Sequence, residues 1–188
     1  SKGLTIVCSI ILPMFANFQE LQNQKLHQQK CKLELLSVTD VLSGAYNHRF
    51  FNATLDKEIE KSKETNLPVA LLMIDIDNFK MCNDVSGHDF GDCILKGTAS
   101  ILKEDAGEEN IVCRYGGDEF AVILPGLDLH AASQLAHKIR NLFEIKKAKL
   151  FDNHSLTNLT LSMGFSVYPT LAYCKDDLIS QADMALYH

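Results

Sequence analysis

Two acidic pairs in this sequence are placed where they could do chemistry. Asp75-Ile76-Asp77 closes the apolar run Val69–Ile76, and Asp118-Glu119 directly follows Gly116-Gly117. An apolar run closed by acids has the pattern of a central strand, and a Gly-Gly dipeptide between two short apolar runs suits a tight hairpin turn. If that hairpin lies beside the first strand, Asp75 and Asp118 point at one spot. Two carboxylates about 4 Å apart repel by roughly 4 kcal/mol at an effective dielectric near 20. Such a pair persists only with a proton or a cation between the groups. A cluster of hard oxygen donors selects Mg2+, with Mn2+ as the alternative, over zinc or copper. Glycines at the turn let a phosphate chain come close to the backbone. Taken singly, an Asp at a strand end is most often a solvated charge, and a Gly-Gly is simply a turn. The combination is what points to a site.

The elements that must position these residues follow from the pattern along the chain. Asn47–Thr65 reads as a helix with Phe50, Phe51, Leu55 and Ile59 on one face, ending at Asn66-Leu67-Pro68. After the strand Val69–Ile76 comes a helix over Gly91–Asp105 with Ile94, Leu95, Ile101 and Leu102 facing inward. Ile111–Tyr115 and Phe120–Leu124 read as strands, Leu129–Ile145 as an amphipathic helix, Leu159–Val167 as a strand and Asp176–Tyr187 as a final helix. The order α-β-α-β-β-α-β-α predicts an α+β fold, with helices packed on an antiparallel sheet.

The 188 residues have room for one domain and an extension, and 46% hydrophobic with 22% charged residues is ordinary for a protein with a core. A net charge of -6 argues against a long nucleic acid as ligand, since a duplex-binding face is normally basic. It does not argue against a single nucleotide. The six cysteines (Cys8, Cys31, Cys82, Cys93, Cys113, Cys174) show no C-x-x-C pair, and read as free, mostly buried thiols of a reducing compartment. The sequence starts at Ser1 and stops inside a helical pattern at Ala185-Leu186-Tyr187-His188, which reads as a fragment of a longer polypeptide.

Residues 1–38 read as an extension. Leu4–Phe18 is apolar and nearly uncharged, but falls short of the roughly 20 residues that cross a bilayer, and Pro13 interrupts it. It is either a buried helix or leader, or the cytoplasmic end of a transmembrane helix that begins upstream. The second reading would place the domain at the inner face of the cell membrane. Gln19–Val38 has helix-favouring composition; Leu26, Leu33 and Leu36 fit a heptad, while Phe18 and Leu21 fit only after a phase change. A signalling coiled coil and a lone connecting helix both remain open.

Arg114-Tyr115-Gly116-Gly117-Asp118-Glu119-Phe120 resembles the signature of GGDEF-domain diguanylate cyclases, and in its full form. Upstream, Asp75-Ile76-Asp77-Asn78-Phe79-Lys80, Asn83-Asp84, Gly87-His88 and Gly91-Asp92 resemble the family's D-x-D-x-F-K…N-D…G-H-x-x-G-D segment. Leu161-Ser162-Met163-Gly164 and Ala182-Asp183-Met184-Ala185-Leu186-Tyr187 resemble its later motifs, so the likeness covers residues 39–188. It implies a polymerase-palm, ferredoxin-like fold, and condensation of two GTP into cyclic di-GMP across a homodimer.

The resemblance also implies roles. Asp75, Asp118, Glu119 and the Ile76 carbonyl would hold the metal. Asp118 would take the proton, and Lys80 would offset phosphate charge. Asn83 and Asp92 would read guanine, with Phe79, His88, Gly116 and Gly117 contacting substrate. Three departures accompany the match. Gly107 and Asn110 stand where the family often has the Arg and Asp of a product-inhibition site. Leu42-Ser43-Gly44-Ala45-Tyr46-Asn47-His48-Arg49 differs from the usual L-T-G-L-x-N-R-R. The family's phosphate-binding Lys and Arg follow the A-L-Y segment, where this sequence stops. Two other readings are a catalytically inactive module that binds GTP, and a palm-fold cyclase acting on one nucleotide. The intact signature argues against both.

Overall fold

A computed structural model describes residues 18–25, 38–151 and 158–187, with no account of side chains at 148–151. Contacts divide the chain into two units, Ser1–Val38 and Thr39–His188. In the first, helix α1 is described over residues 18–25 and is exposed throughout, with Phe18 and Leu21 61% and 68% accessible. The apolar run before Phe18 and the leucines at 26, 33 and 36 lie outside the described residues. Among the described residues no helix is long and apolar enough to cross a membrane.

The second unit runs α2 (His48–Thr65), β1 (Val69–Asp77), α3 (Phe79–Ser86), α4 (His88–Ala106), β2 (Ile111–Arg114), β3 (Glu119–Pro125), α5 (Leu129–Phe151), β4 (Thr160–Tyr168) and α6 (Lys175–Leu186). The four strands form one antiparallel sheet in the order β2-β3-β1-β4. This is the α+β sandwich the sequence pattern predicts. β1 is central and buried on both sides, which is why its sequence is a continuous apolar run rather than an alternating one. Its even residues Ala70, Leu72, Ile74 and Ile76 pack beneath α4 and α5. Its odd residues Val69, Leu71 and Met73 pack towards α2 and α6. Burying one such side chain contributes about 2 kcal/mol, so a one-residue slip would forfeit both faces. The alternation carries Asp75 and Asp77 onto the α2/α6 side, where the apolar residues give out.

Helix α2 starts at Asn47, whose side chain accepts from the Phe50 amide, and stops at Asn66 in the left-handed region (φ 58°). It buries Phe51, Leu55, Ile59 and Ser62. Phe50 is not on that face as the sequence reading placed it; its ring stacks on Tyr46 at 4.1 Å. Tyr46 in turn bridges to the edge strand β2, its amide donating to the Val112 carbonyl and its carbonyl accepting from the Arg114 amide. The edge is thereby partly covered. Helix α3 was not foreseen from the sequence, and α4 begins at His88 rather than Gly91. Gly87, at φ 86°, separates the two helices, a conformation that costs glycine little. Of the described cysteines Cys82 and Cys113 are buried, but Cys93 and Cys174 are exposed, which corrects the expectation of mostly buried thiols. Burial pushes the Cys113 thiol up to about 12, so it is inert.

Candidate active site

The hairpin β2–β3 does lie beside β1, and Glu119 is the direct cross-strand partner of Asp75. Asp75, Asp118 and Glu119 are each half-buried. Among the described residues none of their side chains has a hydrogen bond or ion pair, and no lysine or arginine is bridged to them. The Asp75 carboxyl accordingly rises from 3.8 to about 6, first through burial and then through the charges of Asp118, Asp77 and Glu119. Asp183 first, then Glu119, Asp75 and Asp118, push the Tyr187 hydroxyl up. The end of α6 therefore stands in the field of this cluster. Among the described residues no three His, Cys, Asp or Glu side chains converge closely enough to cage a metal by themselves. What the cluster offers is a few hard oxygens with excess negative charge, an arrangement suited to a cation that also carries phosphate oxygens.

The turn between β2 and β3 spans four residues, Tyr115 to Asp118, closed by the Tyr115 and Gly116 amides donating to the Glu119 carbonyl at 2.8 and 3.2 Å. Neither Gly116 nor Gly117 takes a positive φ. The glycines serve space instead. A Cβ on Gly116 would stand 2.4 Å from the Glu119 carboxylate, whereas a Cβ on Gly117 would meet nothing within 4 Å. Gly116 makes room for Glu119, and Gly117 leaves the outside of the turn open to a ligand.

Arg114 holds this turn in place. Its Nε and a terminal nitrogen donate to the Gly117 carbonyl at 3.1 and 2.7 Å, and its other terminal nitrogen donates to Asp40 at 3.0 Å. Burial pushes the Asp40 carboxyl up, but the Ser43 hydroxyl and amide and the Arg114 guanidinium outweigh it, leaving the group below its ordinary value. Sequence reasoning quoted Arg114 in the signature and gave it no role. It passed over Asp40, although Asp-x-x-Ser is a spacing that lets a carboxylate accept locally.

The other predicted residues follow β1. Asn78 sits in the left-handed region (φ 63°) and its amide nitrogen donates to the Asn158 carbonyl at 2.7 Å, turning the chain sharply out of the strand. Phe79 packs against the core, while Lys80 is exposed in the first turn of α3 with no carboxylate at ion-pair distance among the described residues. Asn83 of α3 packs against Gly91 of α4, the residue before Asp92. The Asn83 side chain occupies the place of a Gly91 Cβ, with Oδ1 buried and unpartnered. His88 is exposed at the start of α4. The structure thus gathers Asp75, Asp118, Glu119 and the turn glycines at the end of the sheet. Asn83 and Asp92 form a second group on the helical pair that follows β1.

Residues 37–188 match the family described as "Diguanylate cyclase, GGDEF domain". The chain belongs to the GGDEF family. The response regulator PleD of Caulobacter vibrioides is 35% identical over 152 residues, covering 81% of this chain and 34% of PleD. A probable diguanylate cyclase, DgcC of Escherichia coli K12, is 32% identical over 186 residues, covering 98% of this chain and 49% of DgcC. The chain thus spans between a third and a half of the curated relatives it matches. Among solved structures, the coiled coil and GGDEF domain of DgcB from Caulobacter crescentus, in complex with c-di-GMP, aligns with a TM-score of 0.72. The identity is 26%, covering 95% of this chain and 93% of that one.

Proposed function

We propose that this GGDEF domain is catalytic and condenses two GTP molecules into cyclic di-GMP with release of two diphosphates. The observation that carries this reading is the trio Asp75, Asp118 and Glu119, half-buried beside an open Gly117 and, among the described residues, without a cationic side chain to balance them. Asp75, Asp118, Glu119 and the Ile76 carbonyl are the groups that would hold Mg2+ or Mn2+. When bound, the ion supplies charge neutralisation at the phosphates and polarises the α-phosphate for attack. Asp118 would take the proton of the ribose 3'-hydroxyl as it attacks the partner GTP's α-phosphate. The bond to diphosphate breaks as the new phosphodiester forms. Lys80 offsets developing phosphate charge, an electrostatic contribution that operates by being pre-placed. Asn83 and Asp92 read guanine, and the unpartnered Asn83 Oδ1 is a buried acceptor that a base donor would satisfy. Phe79, His88, Gly116 and Gly117 line the approach.

Each domain holds one GTP, so product requires two domains face to face, and we place the dimer contact on the N-terminal helix. The exposed Phe18 and Leu21 of α1 support that assignment, since a helix leaving both uncovered gains by pairing. The domain would work in the cytoplasm, where GTP is available. An upstream membrane anchor belongs to the same proposal. Chromatography of GTP incubated with the full-length protein and Mg2+ should show cyclic di-GMP, at a rate per chain that falls on dilution to monomer. GTP bound without turnover would mean a regulatory module instead.

A further inference from the structure

Asp75 and Asp77 look equivalent in sequence, and the structure makes them opposites. They lie on the same face of β1, opposite Ser162 and Thr160 of β4 respectively. Thr160 donates its hydroxyl to Asp77 Oδ2, and Ser162 donates to Asp77 Oδ1 at 2.7 Å. Ser162 is the cross-strand partner of Asp75, yet its hydroxyl is turned diagonally to Asp77. Each Asp77 oxygen is thus engaged, while among the described residues Asp75 receives no donor.

Resting on the metal-site reading above, we propose that Asp77 is a positioning residue. It draws off both hydroxyl donors of β4, so that the Asp75 carboxylate stays free for a divalent cation. It also adds a fixed negative charge beside the ion without ligating it. Coulombic attraction needs no contact, so a carboxylate one ligand away still strengthens cation binding. A hydroxyl donated to Asp75, by contrast, would compete with the ion for the same lone pairs.

The test is a Mn2+ titration by electron paramagnetic resonance on the full chain. A GTP analogue with a methylene in place of the α,β-bridging oxygen prevents turnover, and melting curves are recorded alongside. Asp77→Asn keeps the shape and can still accept a hydroxyl, so the variant should melt near the wild type. It should bind Mn2+ about five- to tenfold more weakly, in keeping with a partly screened charge. The double variant T160V/S162A removes the donors but keeps the charge, and should bind Mn2+ at least as tightly as the wild type. A folded Asp77→Asn with unchanged Mn2+ affinity would overturn the proposal. So would a double variant that weakens Mn2+ binding, because Asp77 would then act only as a tether for β4. Should Asp77→Asn not fold, the double variant alone decides between those outcomes. A wild-type chain that bound no Mn2+ would instead overturn the metal-site reading, and this inference with it.

Discussion

Two carboxylates removed from bulk water are treated in opposite ways by this fold. Asp105, on α4 and only 6% exposed, meets Lys146 of α5 at 2.7 Å, and Lys138 donates to its carbonyl at 3.3 Å. Glu104 joins the same lysine at 3.1 Å. Asp75, at the end of β1, is surrounded by further acids and, among the described residues, has no lysine or arginine partner. The first charge is paired inside the chain through Oδ1, with Oδ2 buried and unpartnered, and belongs to the packing of two helices. The second is left unresolved, at a cost in stability, and only something from outside can balance it. An unpaired acid cluster is how a site for a cation differs from a structural ion pair.

The sharpest way to break this comparison is Asp118→Asn. It should lower cyclic di-GMP synthesis at least 100-fold, a barrier increase of about 2.7 kcal/mol, while leaving or slightly raising the melting temperature. A variant keeping a tenth of the wild-type rate would remove Asp118 from the reaction. The complementary change, Lys146→Met, strands the Asp105 carboxylate and should lower the melting temperature by about 5 °C. Initial rates at varied Mg2+ should then show an unchanged metal dependence. A shift in that dependence would mean the two regions are not separate.

A smaller effect follows from protonation. The Asp75 carboxyl titrates near 6 when folded, against 3.8 when free, because of burial and then of Asp118, Asp77 and Glu119. The folded chain holds this proton more tightly than the unfolded one. The resulting stability is complete below about pH 3.8 and is lost as pH rises through 6. Discounted for solvent screening, the loss is on the order of 1 kcal/mol, or about 2–4 °C. Melting curves in chelator at pH 5 and pH 7 should show about half of that difference for the wild type relative to Asp75→Asn, since the rest is lost below pH 5.

Much of this was readable in the chain. The double burial of β1 is written in an unbroken apolar run, and the signature around Gly116-Gly117 located the acids. Helix α3 escaped because it has only eight residues and is entered through a left-handed Asn78, which carries no periodic signal. The glycines of the turn were read as leaving room for a phosphate chain, but the room that Gly116 makes for the Glu119 carboxylate was not foreseen. The resemblance assigned Asp75 to the metal and gave Asp77 no role, because what engages Asp77 is two hydroxyls on a strand more than eighty residues away. Arg114 likewise acts through Asp40, 74 residues earlier. Patterns along a strand or helix are local and legible, whereas partners across the sheet become visible only in the fold.

On the proposed function, a divalent cation and GTP complete the acids at the end of β1, which have no partner among the described residues. The direct measurement is the melting temperature of wild type and Asp75→Asn at pH 7.5, in chelator and then in Mg2+ with the methylene analogue of GTP. In chelator Asp75→Asn should melt higher, by about 2–4 °C, because a repulsive charge is gone. With Mg2+ and the analogue the order should reverse, the wild type gaining several degrees through linkage and the variant gaining little. A variant that melts lower in chelator, or that gains as much as the wild type from Mg2+ and the analogue, would contradict the account.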